Sequence, residues 1–292
     1  PAHRAGVVAL LGPPNAGKST LMNALVGQKL AIVTPKPQTT RSRILGILTR
    51  EDGQIVLVDT PGLHDSPKRL NALLNEAVGE AARGADLALV LVERTRGWTA
   101  AHDAVAGVVA EAGVPALLVR TKCDLARGAR SSDEPVRTPL GDVATFDVSA
   151  ATGEGLDALV RAILERLPVS PPLYPGDELT DRTLRWLCAE IVREALFEEL
   201  DQELPYTIAT EVVEFDESRP DLVKLRVDLL VARASQKRIV VGSGGEQIKR
   251  IGVRARRGIE ALLGTRVHLA LWVKVEPRWL ADERRMTELG YG

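Results

Sequence analysis

Eight residues constrain this chain more than any others. Gly12-Pro13-Pro14-Asn15-Ala16-Gly17-Lys18-Ser19 fits G-x-x-x-x-G-K-[ST], a loop that wraps phosphate groups. The apolar run Val7–Leu11 before it has the character of a buried strand, and Ser19–Leu25 after it reads as a helix. Gly12 and Gly17 let the backbone curl until its N–H groups face phosphate oxygens, and the following helix adds the positive end of its dipole. Lys18 is a mobile cation for the outer phosphates. The Ser19 hydroxyl is a ligand for Mg²⁺, and Thr20 extends the nucleotide-facing set. The bland alternative is a glycine-rich turn that happens to precede a lysine, and the strand and helix on either side count against it. The loop points to a nucleoside triphosphate and leaves the base open.

Strand-like runs then alternate with helix-like ones. The strands are expected at Val7–Leu11, Ile44–Leu48, Ile55–Val58, Leu87–Val92, Ala116–Val119 and Val143–Val148. The helices are expected at Lys18–Val26, Lys68–Arg83, Ala100–Glu111 and Gly155–Arg166. Such alternation predicts an α/β domain over residues 1–167, with a mostly parallel sheet and helices on both faces. Ligands of such sheets bind beyond the carboxyl ends of the strands. Asp59-Thr60-Pro61-Gly62 stands at one such end. Asp59 is placed to hold Mg²⁺ through a water and the Gly62 N–H to meet a γ-phosphate. Taken alone, an aspartate there is as often a turn residue.

Thr121-Lys122-Cys123-Asp124 stands at another strand end and resembles the Asn-Lys-x-Asp base-recognition motif of P-loop GTPases. The resemblance implies that Asp124 accepts from the guanine ring N–H and amine, with Lys122 along the base plane. Thr121 replaces the usual Asn and reproduces part of its bonding, so guanine specificity is expected through Asp124 at reduced affinity. Ser149-Ala150-Ala151 matches the Ser-Ala-x segment whose backbone N–H reaches guanine O6. Lys29–Arg43, with Pro35 and Pro37, reads as a mobile loop. Within Gln38-Thr39-Thr40-Arg41, Thr40 is expected to close onto Mg²⁺ as a first switch. The second switch is expected at Gly62-Leu63-His64-Asp65-Ser66. Many small GTPases carry Gln where Leu63 stands, to orient the attacking water. Leu63 cannot do so, and slow intrinsic turnover follows. Asn15 offers a remedy, since GTPases with Asn there are often activated by K⁺. The expected catalytic set is therefore Asn15, Lys18, Thr40 and Gly62, with Ser19, Thr40 and Asp59 on the metal.

Charge is distributed unevenly along the 292 residues, whose formal net charge is −1. Pro171–Asp221 carries 4 Lys+Arg against 14 Asp+Glu, and Leu222–Val275 carries 12 against 3, which marks the latter for a polyanion. Charge alone would favour a solvated helix face. No apolar run is long enough to span a bilayer, and Pro1–Arg4 leads straight into a strand, so no signal peptide is expected. Cys123 and Cys188 lack metal spacing and read as reduced thiols of a cytoplasmic protein. His3, His64, His102 and His268 form no ligand pattern.

The proline-rich stretch 168–178 reads as a semi-stiff linker before a second domain at 179–292. That domain begins with an amphipathic helix to about Leu200, its Glu190, Glu194 and Glu198 on one face. Strand-like runs Tyr206–Phe215 and Val223–Ala232 follow, joined by a turn at Asp216–Asp221, and Val267–Val275 closes the domain. Between them, Gly242-Ser243-Gly244-Gly245 resembles the G-x-x-G loop of KH domains, followed by a helix with Ile248, Ile251, Ala255, Ile259 and Leu262 on one face and Arg250, Arg254 and Arg257 on another. The order α-β-β-α-α-β is that of a type II KH domain. The loop itself is uncharged, so phosphate contact is expected from backbone N–H groups and from Lys237, Arg238, Lys249 and Arg250. A helix–turn–helix packing element with a solvated basic face is the competing reading.

Taken together, these motifs, with Trp279–Arg284 and Leu289–Tyr291, resemble the Era family of bacterial ribosome-assembly GTPases across nearly the whole chain. The resemblance implies a GTP/GDP switch with Mg²⁺ whose GTP form favours RNA capture. It also implies binding near the 3′ end of small-subunit (16S) ribosomal RNA, service to the small ribosomal subunit, and a monomer with peripheral contact at the cell membrane. Two other classes compete. A small-molecule kinase would show no guanine preference. A catalytically impaired scaffold for RNA or membrane would release no phosphate.

Overall fold

The computed structural model describes residues 2–34, 36, 43–60, 79–126, 138–277, 279 and 282–289. The expected switch residues Thr40, Pro61, Gly62 and Leu63 lie outside them, as does most of the expected helix 68–83, of which 79–83 is helical. The chain forms two compact units. The first comprises Pro1–Ala31 with Arg43–Asp181, and the second Ile32–Ser42 with Arg182–Gly292.

The first unit is built on β1 (Arg4–Leu11), β2 (Ile44–Arg50), β3 (Gly53–Asp59), β4 (Leu87–Glu93), β5 (Ala116–Thr121) and β6 (Thr145–Asp147), in the order β2-β3-β1-β4-β5-β6. All neighbours are parallel except β2 and β3, which a two-residue turn joins as a hairpin. Leu87 to Val92 are each at most 1% exposed, as the continuous apolar run of a strand covered on both faces requires. Helices α1 (Lys18–Val26) and α2 (Ala100–Ala112) lie between strands in the chain, and α3 (Leu156–Arg166) follows β6. The strand order reverses at β1, and the crevice beyond such a reversal is where an open α/β sheet takes its ligand.

The proline-rich stretch is bound to this unit rather than swinging free. Gln54 is fully buried and uses its whole amide. Its NH₂ donates to Thr49 Oγ and the Tyr174 carbonyl, both at 2.9 Å, and its oxygen accepts from the N–H groups of Leu173 (2.8 Å) and Tyr174 (2.9 Å). The Ile47 N–H donates to the Leu179 carbonyl at 2.8 Å. The compact unit accordingly ends at Asp181, later than the expected 168–178 boundary.

The second unit has α4 (Leu184–Glu199), β7 (Ala209–Arg219), β8 (Leu222–Val231), α5 (Ala234–Val241), α6 (Glu246–Leu263), β9 (Arg266–Val275) and a short α7 (Glu283–Glu288). Its sheet runs β7-β8-β9, antiparallel then parallel. Alternate residues Val223, Leu225, Val227, Leu229 and Val231 pack with Ile251, Ala255 and Ile259 of α6. The turn falls at Pro220-Asp221 instead of Asp216–Asp221, because the polar ends of β7 and β8 continue to pair through Arg219 and Leu222. Of the acidic residues expected on one face of α4, Glu198 is exposed, Glu190 is half-buried and Glu194 is buried. Glu194 is 6% exposed and accepts the Val33 N–H at 3.0 Å, and Arg193 beside it is 2% exposed and bonded to Glu190.

Candidate functional site

Four strand ends bring the expected nucleotide residues together. After β1 the loop Gly12–Gly17 turns into α1. Gly17 caps that helix with φ 96°, a left-handed conformation that glycine adopts without strain. Asn15 is also left-handed at φ 64° and is exposed. Asn tolerates that region better than other residues with a Cβ, so the backbone gives position 15 a second reason to be Asn. Pro13 and Pro14 are half-buried and Ala16 is buried, its N–H donating to the Pro13 carbonyl at 3.2 Å.

Lys18 is 8% exposed and folds back over its own loop, its ammonium donating to the carbonyls of Gly12 (2.9 Å) and Pro13 (3.1 Å). Burial pushes its pKa below the usual lysine range, against the opposing pull of the Asp59 charge. Beside it the Ser19 hydroxyl donates to Asp59 Oδ2 at 2.5 Å, and Asp59 itself is fully buried at the end of β3. Thr60 follows, its hydroxyl donating to the Leu10 carbonyl at 3.3 Å. Thr20 is half-buried on the first turn of α1.

The residues expected to recognise the base lie at the end of β5 and just beyond it. Thr121 is buried, its hydroxyl donating to the Ala16 carbonyl at 2.7 Å. Lys122 takes a left-handed backbone at φ 58° and donates to Glu93 Oε2 at 2.8 Å. Glu93 is half-buried; burial raises its pKa, but the Lys122 bond and charge outweigh that and hold it below the usual carboxylate range. Burial raises the pKa of the Cys123 thiol above its ordinary value. Asp124 accepts from the Ser149 hydroxyl at 2.6 Å, and Ser149 Oγ accepts the Thr152 N–H at 3.2 Å. Ala150 and Ala151 continue the same turn, half-buried and exposed respectively, and the Gly153 N–H closes it onto the Ser149 carbonyl at 2.9 Å.

Sequence reasoning missed two parts of this arrangement. Ser149 was expected to act through the backbone of its segment, and its side chain instead aims the Asp124 carboxylate. Glu93, which anchors Lys122, carries no motif; its only signal is an acidic residue closing an otherwise apolar strand.

In the second unit, Gly242 caps α5 with φ 74°, and a Cβ there would stand 2.6 Å from the Gln247 Cβ, so the loop needs glycine at its first position. Ser243 and Gly244 are exposed at the tip and Gly245 caps α6. The four expected cations are all exposed but differ in company. Arg250 pairs with Glu199 at 3.3 Å, and Arg254 pairs with Glu198 and Glu199, both at 2.9 Å. Lys237, Arg238 and Lys249 make no ion pair among the described residues. Cys188 is a buried free thiol whose pKa burial pushes up to about 12.

Comparison with known proteins agrees with both units. Residues 7–122 match the family model described as 50S ribosome-binding GTPase, and residues 203–280 match the KH domain. GTPase Era of Stenotrophomonas maltophilia is 43% identical over 293 residues, covering 99% of this chain and 98% of that protein. GTPase Era of Nitratidesulfovibrio vulgaris is 43% identical over 299 residues, at 99% and 97% coverage. Among solved structures, an Aquifex aeolicus Era variant bound to GDP·AlF4⁻ superposes with TM-score 0.85 at 34% identity. An Era in complex with MgGDPNP and nucleotides 1506–1542 of 16S ribosomal RNA superposes with TM-score 0.83 at 32% identity. Each covers 99% of both chains.

Proposed function

The chain belongs to the Era family of GTPases, and on that premise we propose that it couples GTP hydrolysis to capture of 16S ribosomal RNA near its 3′ end, in the service of small-subunit assembly. The observation that carries the reading is that a full-length relative bound to MgGDPNP and that RNA segment aligns with 99% of this chain. The kinase reading has no place for the KH unit or for the Asp124–Ser149 arrangement.

In this mechanism Lys18 exchanges its loop carbonyls for phosphate oxygens, whose negative charge compensates the buried ammonium. Asp124, held by Ser149, accepts the ring N–H and amine of guanine. Hydroxyl and carboxylate oxygens suit a hard divalent cation, so Ser19 and Asp59 fit Mg²⁺ and would hold it; when bound it neutralises charge on the β- and γ-phosphate oxygens. Asn15, exposed at the loop tip, is the residue offered to K⁺. The chain passes from α1 into Ile32–Ser42, a segment of the second unit. That covalent continuity supports nucleotide-dependent RNA binding, since Thr40 lies in it.

The test is GTP turnover with and without the 16S 3′ segment, in K⁺ and in Na⁺. Turnover is expected to be slow alone and faster with RNA in K⁺. Equal rates in the two cations would remove the role given to Asn15, and no phosphate release under any condition would leave the scaffold reading. Equal RNA affinity of the GTP and GDP forms would end the coupling, because a ligand with no differential affinity shifts nothing.

The unpaired cations make a second test. Lys237→Ala and Lys249→Ala are each expected to lower the slope of log affinity against log salt by about 0.7 for single-stranded RNA. Arg254→Ala should leave the slope nearly unchanged, since Glu198 and Glu199 already neutralise it. Filter binding across a salt series reads both. Cytoplasmic location with peripheral membrane contact completes the proposal; the basic segment permits such contact.

A further inference from the structure

The substitution of threonine for asparagine at position 121 has a specific chemical consequence for the base. A threonine hydroxyl has one proton to donate, whereas an asparagine amide has two. Thr121 has already committed its proton to backbone. Its Oγ lies 2.7 Å from the Ala16 carbonyl and 3.4 Å from the Val92 carbonyl, at a residue 4% exposed. Redirecting it would leave a buried carbonyl short of a donor. Guanine N7 and O6 are acceptors, while the ring N–H and amine on the opposite edge are donors. A hydroxyl whose proton is spent can only accept, so it has nothing to give N7.

We infer that this chain recognises guanine without reading N7: Thr121 ties the base-recognition strand to the phosphate loop, and the site takes any purine nucleotide that presents guanine's N1–H and 2-amino edge, 7-deazaguanine nucleotides included. The inference rests on the assignment of Asp124 to that edge. An asparagine at position 121 would keep one N–H on the Ala16 carbonyl and offer the second to N7.

The experiment measures Kd for GDP, 7-deaza-GDP and ADP by calorimetry on the full chain, on Thr121→Asn and on Thr121→Val. The unaltered protein is expected to bind GDP and 7-deaza-GDP within twofold of each other. Thr121→Asn is expected to prefer GDP by about fivefold, one hydrogen bond's net value. Thr121→Val, which cuts the tie to Ala16, should weaken both nucleotides and leave their ratio near one. A fivefold preference for GDP in the unaltered protein overturns the inference without any variant having to fold. Indifference in Thr121→Asn would also overturn it, because residue 121 would then not be the determinant. ADP binding as tight as GDP would instead defeat the Asp124 assignment beneath it.

Discussion

Asp124→Asn is expected to turn a guanine-specific protein into a xanthine-specific one. The carboxylate is assigned two hydrogen bonds from the base, each charge-assisted and worth roughly 1.5–3 kcal/mol. Losing the acceptor that faces the amine, and setting an NH₂ against an NH₂, should cost GTP about two to four powers of ten in affinity. Xanthine replaces the amine with a carbonyl and so restores the pair. Ser149 makes the outcome sharper. Its hydroxyl donates to Asp124 at 2.6 Å, which favours the amide oxygen on the Ser149 side and presents the NH₂ to the base. Asp124 is half-buried and the change is isosteric, so the fold should survive it. Competition of GTP, XTP and ATP against a fluorescent nucleotide reads the result. A variant that lost all nucleotides equally would show that Asp124 supports the fold and does not read the base.

What could be read from the residues alone depended on whether spacing or packing carried the information. The phosphate loop, Asp59, the Lys122–Asp124 turn and the Gly242–Gly245 loop are short and contiguous, and each follows a strand or helix with a strong apolar pattern. Their chemistry is local, so their order along the chain was enough to place them. The Ser149 hydroxyl, the Glu93 anchor and the Ala16 carbonyl that receives Thr121 are different. Each acts across 25 to 105 residues of sequence, and no contiguous motif announces the contact. The same holds for Gln54, whose amide binds a stretch 119 residues away and turns an expected linker into part of the first unit. Glu194 and Arg193 are likewise buried, each with a partner that compensates its desolvation.

Lys18→Met carries the other large effect. Methionine keeps the apolar stem, so the packing around an 8% exposed side chain changes little, while the charge on the phosphates disappears. Removing a single neutral donor from a developing charge typically costs ~10²–10³ in rate, and a full cation aimed at the outer phosphates should exceed that. We expect kcat/KM for GTP to fall by roughly 10³ or more, with thermal stability nearly unaltered. The pH dependence separates this role from a structural one. In the nucleotide-free protein burial lowers the Lys18 pKa, so the unfolded chain binds more protons than the folded one between the depressed value and the ordinary value. Stability therefore rises with pH through that window. Nucleotide affinity runs the opposite way. Phosphate restores the ammonium, so binding takes up a proton once Lys18 has begun to lose it, and affinity falls as pH rises through the same window. Lys18→Met should abolish both slopes together. Calorimetric titrations in buffers of different ionisation enthalpy count the proton directly; an uptake that persisted in Lys18→Met would assign it to another group.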